Sequence, residues 1–394
     1  MLCIGQSSSS GLPSKDTPMA EASASSVGQN TSSAEESSIL VSPREQPEDV
    51  ALKEPWKSLT QAAINKIRGH SINSLENLSC EGLSGIESHL FERILSYLAI
   101  DNLSPLELKD LFVALTGIID LRVTTYKDLT SAVPALEEKD PELDQLLKQL
   151  SKFLRLGLRT LVLKCDVMLG GLAKKELEGT DAPPQMAIIR LVRYLASIID
   201  EGSQPVSESE VVAVWKECLQ ILSNGKLKFL SGGHVCRATQ TQKRLFITQF
   251  KVHEETKSGR KVDLLLRVGN LEVLNTEVKP NDDQSAGDKQ YKKNIRINHT
   301  TFQTAARRGL ELPPMLPLDV RGLCAIVCCI KQASDNILVA GPACSNLIVL
   351  PSSKEDLEKF LCGSSPQIFW QYVVCLFLLH SSVLSCVTTK LCLL

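Results

Sequence analysis

The chain of 394 residues is 43% hydrophobic and 22% charged, with a formal net charge of −2. That length suggests two or three domains and excludes a fibrous or wholly disordered organisation. Thirteen cysteines would suit an extracellular disulfide scaffold, but the opening MLCIGQSSSSGLPSKD lacks an apolar stretch behind a basic start, and eight of the cysteines follow Val320, several within apolar runs such as CAIVCCI. Buried free thiols in an intracellular setting, nucleus or cytoplasm, are the expectation.

Charge is unevenly placed along the chain. Between Lys226 and Arg308 seventeen Lys and Arg stand against eight Asp and Glu, a local balance of +9, so the remainder carries −11. A basic block in a near-neutral protein points to a polyanionic partner, with phosphate the usual one. A solvated lysine-rich surface is the plain alternative.

Residues 1–50 hold thirteen serines and few large apolar side chains, so they cannot offset their ordering entropy and are expected to be disordered. Residues 51–203 read as a helical region. In IESHLFERILSYLAI the residues Ile86, Leu90, Ile94 and Leu98 recur at steps of four and form one buried stripe. The segments LEEKDPELDQLLKQLSKFLRLGLRTLVLKC and PPQMAIIRLVRYLASIID repeat that pattern.

A third region follows at residues 204–367. Ser207 and Glu210 have capping-box spacing, which predicts a helix running through Trp215 to Leu222 and stopped by Asn224-Gly225. Strands are expected at RLFITQFKVH, KVDLLLRV and LEVLNTEV, the last stopped by Pro280. A polar, basic helix over Gln284–Arg307 precedes a single long strand VRGLCAIVCCI, a further strand NILVAG and a short helix SKEDLEKFL. The order implies an α/β (α+β) domain. The remaining stretch, 368–394, carries a single charge, Lys390. It reads as a buried terminal helix, with a membrane anchor as the alternative.

The chemistry concentrates around Gly269-Asn270. Glu277 and Lys279 are two apart and share one face of a strand. If Gly269-Asn270-Leu271 is a three-residue loop, Val268 pairs with Glu272 and Asp263 falls opposite Glu277; a two-residue turn shifts the register and separates them. Two facing carboxylates suit a hard divalent cation, Mg²⁺ or Mn²⁺. A lysine beside them would steady a metal-activated water or the charge that grows on a phosphate during attack. On the following helix Lys289, Lys293 and Arg296 fall at i, i+4 and i+7, one face suited to backbone phosphates, with Tyr291, Ile295 and Phe302 on another.

The set S-E-x-E-x₄-W, S-G-G-H-V-C-R-A-T, G-R-K-V-D-L-L-L, E-V-K-P and Q-Y-K-K-N-I-R-I-N, across about residues 206–361, resembles the PD-(D/E)XK nuclease-like domain of a group of fungal proteins. That resemblance implies a restriction-endonuclease-like fold, with a central mixed sheet flanked by helices, and a metal-dependent nuclease acting on DNA or RNA. It assigns Asp263, Glu277 and Lys279 as catalytic, with Asp263 and Glu277 holding the metal. Glu210, or Glu208, would join them from the first helix, and Gln290 would border the site beside Lys289, Lys293 and Arg296. Where relatives are expected to carry S-G-E, this chain reads Ser231-Gly232-Gly233, which makes a binding module with decayed chemistry the rival. No phosphate-binding loop or zinc pattern is present, so no small-molecule cofactor is expected. The stretch HLFERILSYLAIDNLSPLELKDL is loosely similar to an F-box, which would imply an adaptor.

Overall fold

Two sequence signals fix the frame on which the rest is hung. Capping boxes at Ser84/Glu87, Ser104/Glu107 and Ser207/Glu210 start three of the helices, each satisfying backbone N–H groups that a helix start leaves unpaired. Glycines with positive φ, among them Gly157, Gly225, Gly269 and Gly322, mark turns at little steric cost.

The structure is a computed structural model that describes residues 54–67, 75–122, 136, 140–177, 184–241, 259–280, 284–334 and 337–392. The Ser-rich stretch 1–50 and the strand expected over Arg244–His253 lie outside the described residues. Helices α1 (Glu54–Ile67), α2 (Gly85–Leu98) and α3 (Pro105–Leu115) come first, followed by strand β1 (Ile118–Asp120). Next are α4 (Pro141–Arg155), α5 (Leu158–Leu177), α6 (Pro184–Asp200) and α7 (Glu208–Leu222). The sheet-forming part comprises β2 (Lys228–Val235), β3 (Lys261–Val268), β4 (Leu271–Lys279), α8 (Gln284–Arg307), β5 (Leu318–Arg321), β6 (Cys324–Ser334), β7 (Ile337–Pro342) and β8 (Ile348–Val349). Helices α9 (Lys354–Cys362) and α10 (Ser365–Cys392) follow.

Among the described residues eight strands form one mixed sheet in the order β1-β7-β6-β5-β4-β3-β2, with β8 pairing β6 off that path. The pairs β1–β7 and β4–β5 are parallel; the others are antiparallel. The mixed α/β architecture matches the expectation, and the bounds of α7 and α8 fall where the sequence put them.

Three elements differ. Strand β2 occupies KFLSGGHV, a stretch whose two glycines and lack of alternation hide a strand signal. The run VRGLCAIVCCI is a hairpin, because Gly322 at φ +56° turns the chain between β5 and β6, which pair antiparallel. The boundary expected at 203/204 separates no bodies: residues 50–394 form one compact unit, and β1, from the helical stretch, pairs with β7. One core cluster joins Leu147, Leu191, Trp215, Leu264, Val320, Phe369 and Tyr372.

Helix α10 is long and apolar enough to cross a membrane by length and composition. Its Ile368, Phe369, Tyr372, Leu376, Leu379 and Val383 are buried in the shared core. Trp215 and Phe369 meet with ring centroids 5.6 Å apart, and the Trp215 indole N–H donates to the Gly322 carbonyl at 2.9 Å. Truncating either aromatic to alanine would cost about 3–5 kcal/mol. Cys165, Cys218, Cys236, Cys328 and Cys329 are buried as free thiols.

Candidate functional site

The β3–β4 hairpin decides where the carboxylates go. Val268 pairs with Leu271 and Arg267 with Glu272, so the turn holds two residues, Gly269-Asn270. That register alone would send Asp263 and Glu277 to opposite faces. The ladder then slips by one: Leu266 pairs with Leu274, Leu265 with Asn275 and Leu264 with Thr276. Val273 is the extra residue, a β-bulge that restores the register a three-residue loop would have set. The next positions outward are Asp263 and Glu277, and the Val278 N–H donates to Asp263 Oδ2 at 2.8 Å.

Glu277 is fully buried. Lys293 Nζ forms a close ion pair with its Oε2, while Oε1 is buried without a hydrogen-bond partner. Burial pushes the Glu277 carboxyl up to about 7; Asp263 pushes the same way, against Lys293 and Lys279. Asp263 is raised by burial too, opposed by its Val278 hydrogen bond. Lys279 Nζ lies 2.8 Å from Glu208 Oε2. Burial works against the Lys279 ammonium, but Glu208, Asp263 and Glu277 together lift its pKa above the usual lysine range. The side chains of Lys293, Lys279 and Glu208 are 37%, 41% and 45% exposed. A buried carboxylate floor thus lies under a charged, solvent-reaching rim.

The remaining expected site residues sort differently. Glu210 does not reach the carboxylates: its Oε2 accepts from the N–H groups of Val206 and Ser207, so the capping box consumes it. Glu208 is the acid of α7 that meets the site. The face of α8 assigned to phosphates also divides. Lys289 is exposed and Lys293 turns in to Glu277. The Arg296 guanidinium lies 5.2 Å from the Phe112 ring centre; burial, with Arg260 adding, pushes it down to about 10. Gln290 donates from Nε2 to the carbonyls of Glu277 and Val320, each at 3.0 Å. Asn294 donates to Leu318 O at 2.6 Å and Asn298 to Asn275 O at 2.8 Å, so a row of amides staples α8 across β4 and β5. At Ser231-Gly232-Gly233 the β2 ladder bulges, with φ at +98° and +68° for the two glycines. A glutamate there would need a strained left-handed backbone.

A second polar cluster, which the sequence reading missed, lies at the other end of this α8 contact. Asp319 pairs in register with Glu277 and is fully buried. Arg321 bonds Asp319 at 2.9 Å; burial still pushes the Asp319 carboxyl up to about 6. Gly287 makes room, since a Cβ there would fall 2.2 Å from the Arg321 guanidinium carbon. Arg122 lies 3.2 Å from the Tyr291 ring centre and bonds both Asp120 and Asp288. The pairs Asp120/Arg122 and Asp319/Arg321 are each two apart in sequence, but only the contacts of Arg122 with Asp288 and Tyr291, distant in the chain, bring them to α8, so no local spacing announces the whole cluster. Glu272, also unanticipated, accepts from the N–H groups of Arg237 and Ala238 at the start of a helical turn.

Among the described residues no three or more His, Cys, Asp or Glu side chains gather into a metal-holding group. The facing pair Asp263 and Glu277 nevertheless fits Mg²⁺, which is commonly held by one or two carboxylates with waters and substrate phosphate completing its shell. The unpartnered Glu277 Oε1 is a donor of that kind. Hollows of about 250 Å³ beside Arg159, Leu163 and Asp200 and about 450 Å³ beside Lys226, Phe377 and His380 lie elsewhere. No family model, curated protein or solved structure matches the chain.

Proposed function

We propose that the chain is a metal-dependent nuclease that hydrolyses phosphodiester bonds at Asp263, Glu277 and Lys279. The observation that carries this reading is Glu277: fully buried, one oxygen unpartnered, across the hairpin from Asp263 and two residues from a lysine on the same strand face. A buried carboxylate with a raised pKa is a strained arrangement, which stability alone disfavours and a cation would relieve. The topological order, a helix, an antiparallel three-strand unit, a helix and a strand parallel to β4, agrees with the resemblance in the sequence.

Asp263 and Glu277 would hold Mg²⁺ or Mn²⁺. Such an ion supplies an acidified water and Lewis acidity toward a phosphate oxygen. The chain's own groups do the rest. Lys279 places an ammonium where negative charge grows on the phosphate oxygens, and Glu208 orients that ammonium. Lys293 neutralises the second Glu277 oxygen, and Gln290 fixes the β4 backbone beneath. The rival reading, a nucleic-acid-binding module with lost chemistry, is favoured by one arrangement: Lys293 and Lys279 already answer Glu277 and Glu208.

The test is cleavage of labelled single- and double-stranded DNA and RNA by the intact chain, with and without Mg²⁺ or Mn²⁺, beside Glu277→Ala and Lys279→Ala. Metal-dependent cutting lost in both variants is the expected result. Salt-sensitive binding without cutting, unchanged in Glu277→Ala, would replace the nuclease with the binding module.

A further inference from the structure

Helix α8 is crossed by α3 from the helical part of the chain, and a deeply buried ion pair fixes the crossing: Lys292 Nζ lies 2.6 Å from Asp110 Oδ1, with side chains 5% and 11% exposed. Lys109 is the chain neighbour of Asp110. Lys289 lies one turn before Lys292 and Lys293, about 6 Å along the axis from the latter. Among the described residues Asp110 is engaged by Lys292, Asp288 by Arg122 and Glu277, through one oxygen, by Lys293. Lys109 and Lys289 have no ion pair or hydrogen bond among the described residues. Burial, then the like charges of Lys289 and Lys292, push the Lys109 ammonium below its usual pKa.

We propose that Lys109 on α3 and Lys289 on α8 continue the Lys293 rim as a track for a polynucleotide backbone, so that the strand engaged at Glu277 runs along α8 onto the helical layer. The inference rests on the nuclease reading for its substrate, but its measurement does not. An ammonium row, with Lys109 and Lys289 left without acidic partners among the described residues, recognises phosphodiester charge and not base identity. The helical layer thereby becomes part of the binding surface.

The experiment is equilibrium binding of fluorescent single-stranded DNA, duplex DNA and RNA to the intact chain in EDTA, between about 50 and 200 mM salt. Lys109→Gln, Lys289→Gln and the pair are compared with Lys148→Gln, a control on α4. Each single variant is expected to weaken binding about threefold and to lower the salt slope by about 1, the pair by about 2, whatever the base sequence; Lys148→Gln stays at the parent value. Thermal melts and a charge-retaining Lys109→Arg variant separate lost contact from lost fold. Parent-like slopes in the folded double variant overturn the track, even where Glu277→Ala abolishes cutting. Equal competition by polyglutamate overturns it too. Lost slope without any metal-dependent cutting keeps the track and removes the nuclease.

Discussion

Glu277 and Asp319 stand side by side on neighbouring strands, both fully buried, both beneath α8, both with a cation in reach. Their settings nonetheless diverge. Asp319 is enclosed: Arg321 fills the gap left by Gly287, and Arg122 lies over the Tyr291 ring. Glu277 faces a rim of long side chains that reach solvent, and its counter-ion arrives on a flexible lysine rather than a planar, always-charged guanidinium. The same carboxylate chemistry thus serves cohesion on one side of the helix and exchange on the other.

The comparison breaks if the two carboxylates respond alike. The largest effect is expected in cleavage: Glu277→Gln lowers it by about a thousandfold with little change in melting temperature, whereas Asp319→Ala removes a buried partner of Arg321 and costs about 3 kcal/mol of stability. Cleavage assays and thermal melts on the two variants check this, and a folded Asp319 variant dead in cleavage would merge the two sites into one.

Acidity sharpens the contrast next. Both folded-state pKa values are raised, so the fold favours the protonated forms and stability falls as pH climbs, from the usual carboxyl range through about 6 for Asp319 and about 7 for Glu277. Melting curves across pH should flatten at the upper end in Glu277→Gln and at the lower end in Asp319→Asn. Cleavage at limiting Mg²⁺ should rise through about pH 7, as Glu277 ionises. The smallest effects separate two acids on one helix. Glu208→Gln, by releasing Lys279, is expected to reduce cleavage about tenfold, while Glu210→Gln slightly lowers the melting temperature and leaves cleavage intact.

Much of this arrangement was legible in the chain. The Ser207 capping box placed α7, and the polar run Gln284–Arg307 gave α8 its limits. Other parts were hidden for definable reasons. The hairpin register followed from two compensating irregularities, a short turn and the Val273 bulge, and either one read alone gives the wrong face. The spacing that announced the start of α7 also assigned Glu210 to the cap, which leaves Glu208 as its free acid; that signal was present and unused. Lys293 looked solvent-facing because helical periodicity shows which residues share a face, not what lies across from it. The Asp319 cluster joins residues from β1, α8 and β5, and no local pattern reports such a meeting.

The parallel pairing of β1 with β7 bears on how the protein is made. Ile118 and Leu338 are partners about 220 residues apart in the chain. At ordinary translation rates the ribosome needs on the order of ten to forty seconds to cover that distance. Throughout that interval Ile118 and Ile119, buried in the finished fold, lack the strand that covers them. Sheet closure is therefore a late event in biosynthesis, with a long exposure to chaperones and to misassembly. Because β1 sits between α3 and the Arg122 latch, the helical layer locks onto α8 only after that closure, and so the proposed phosphate track would be among the last features to mature.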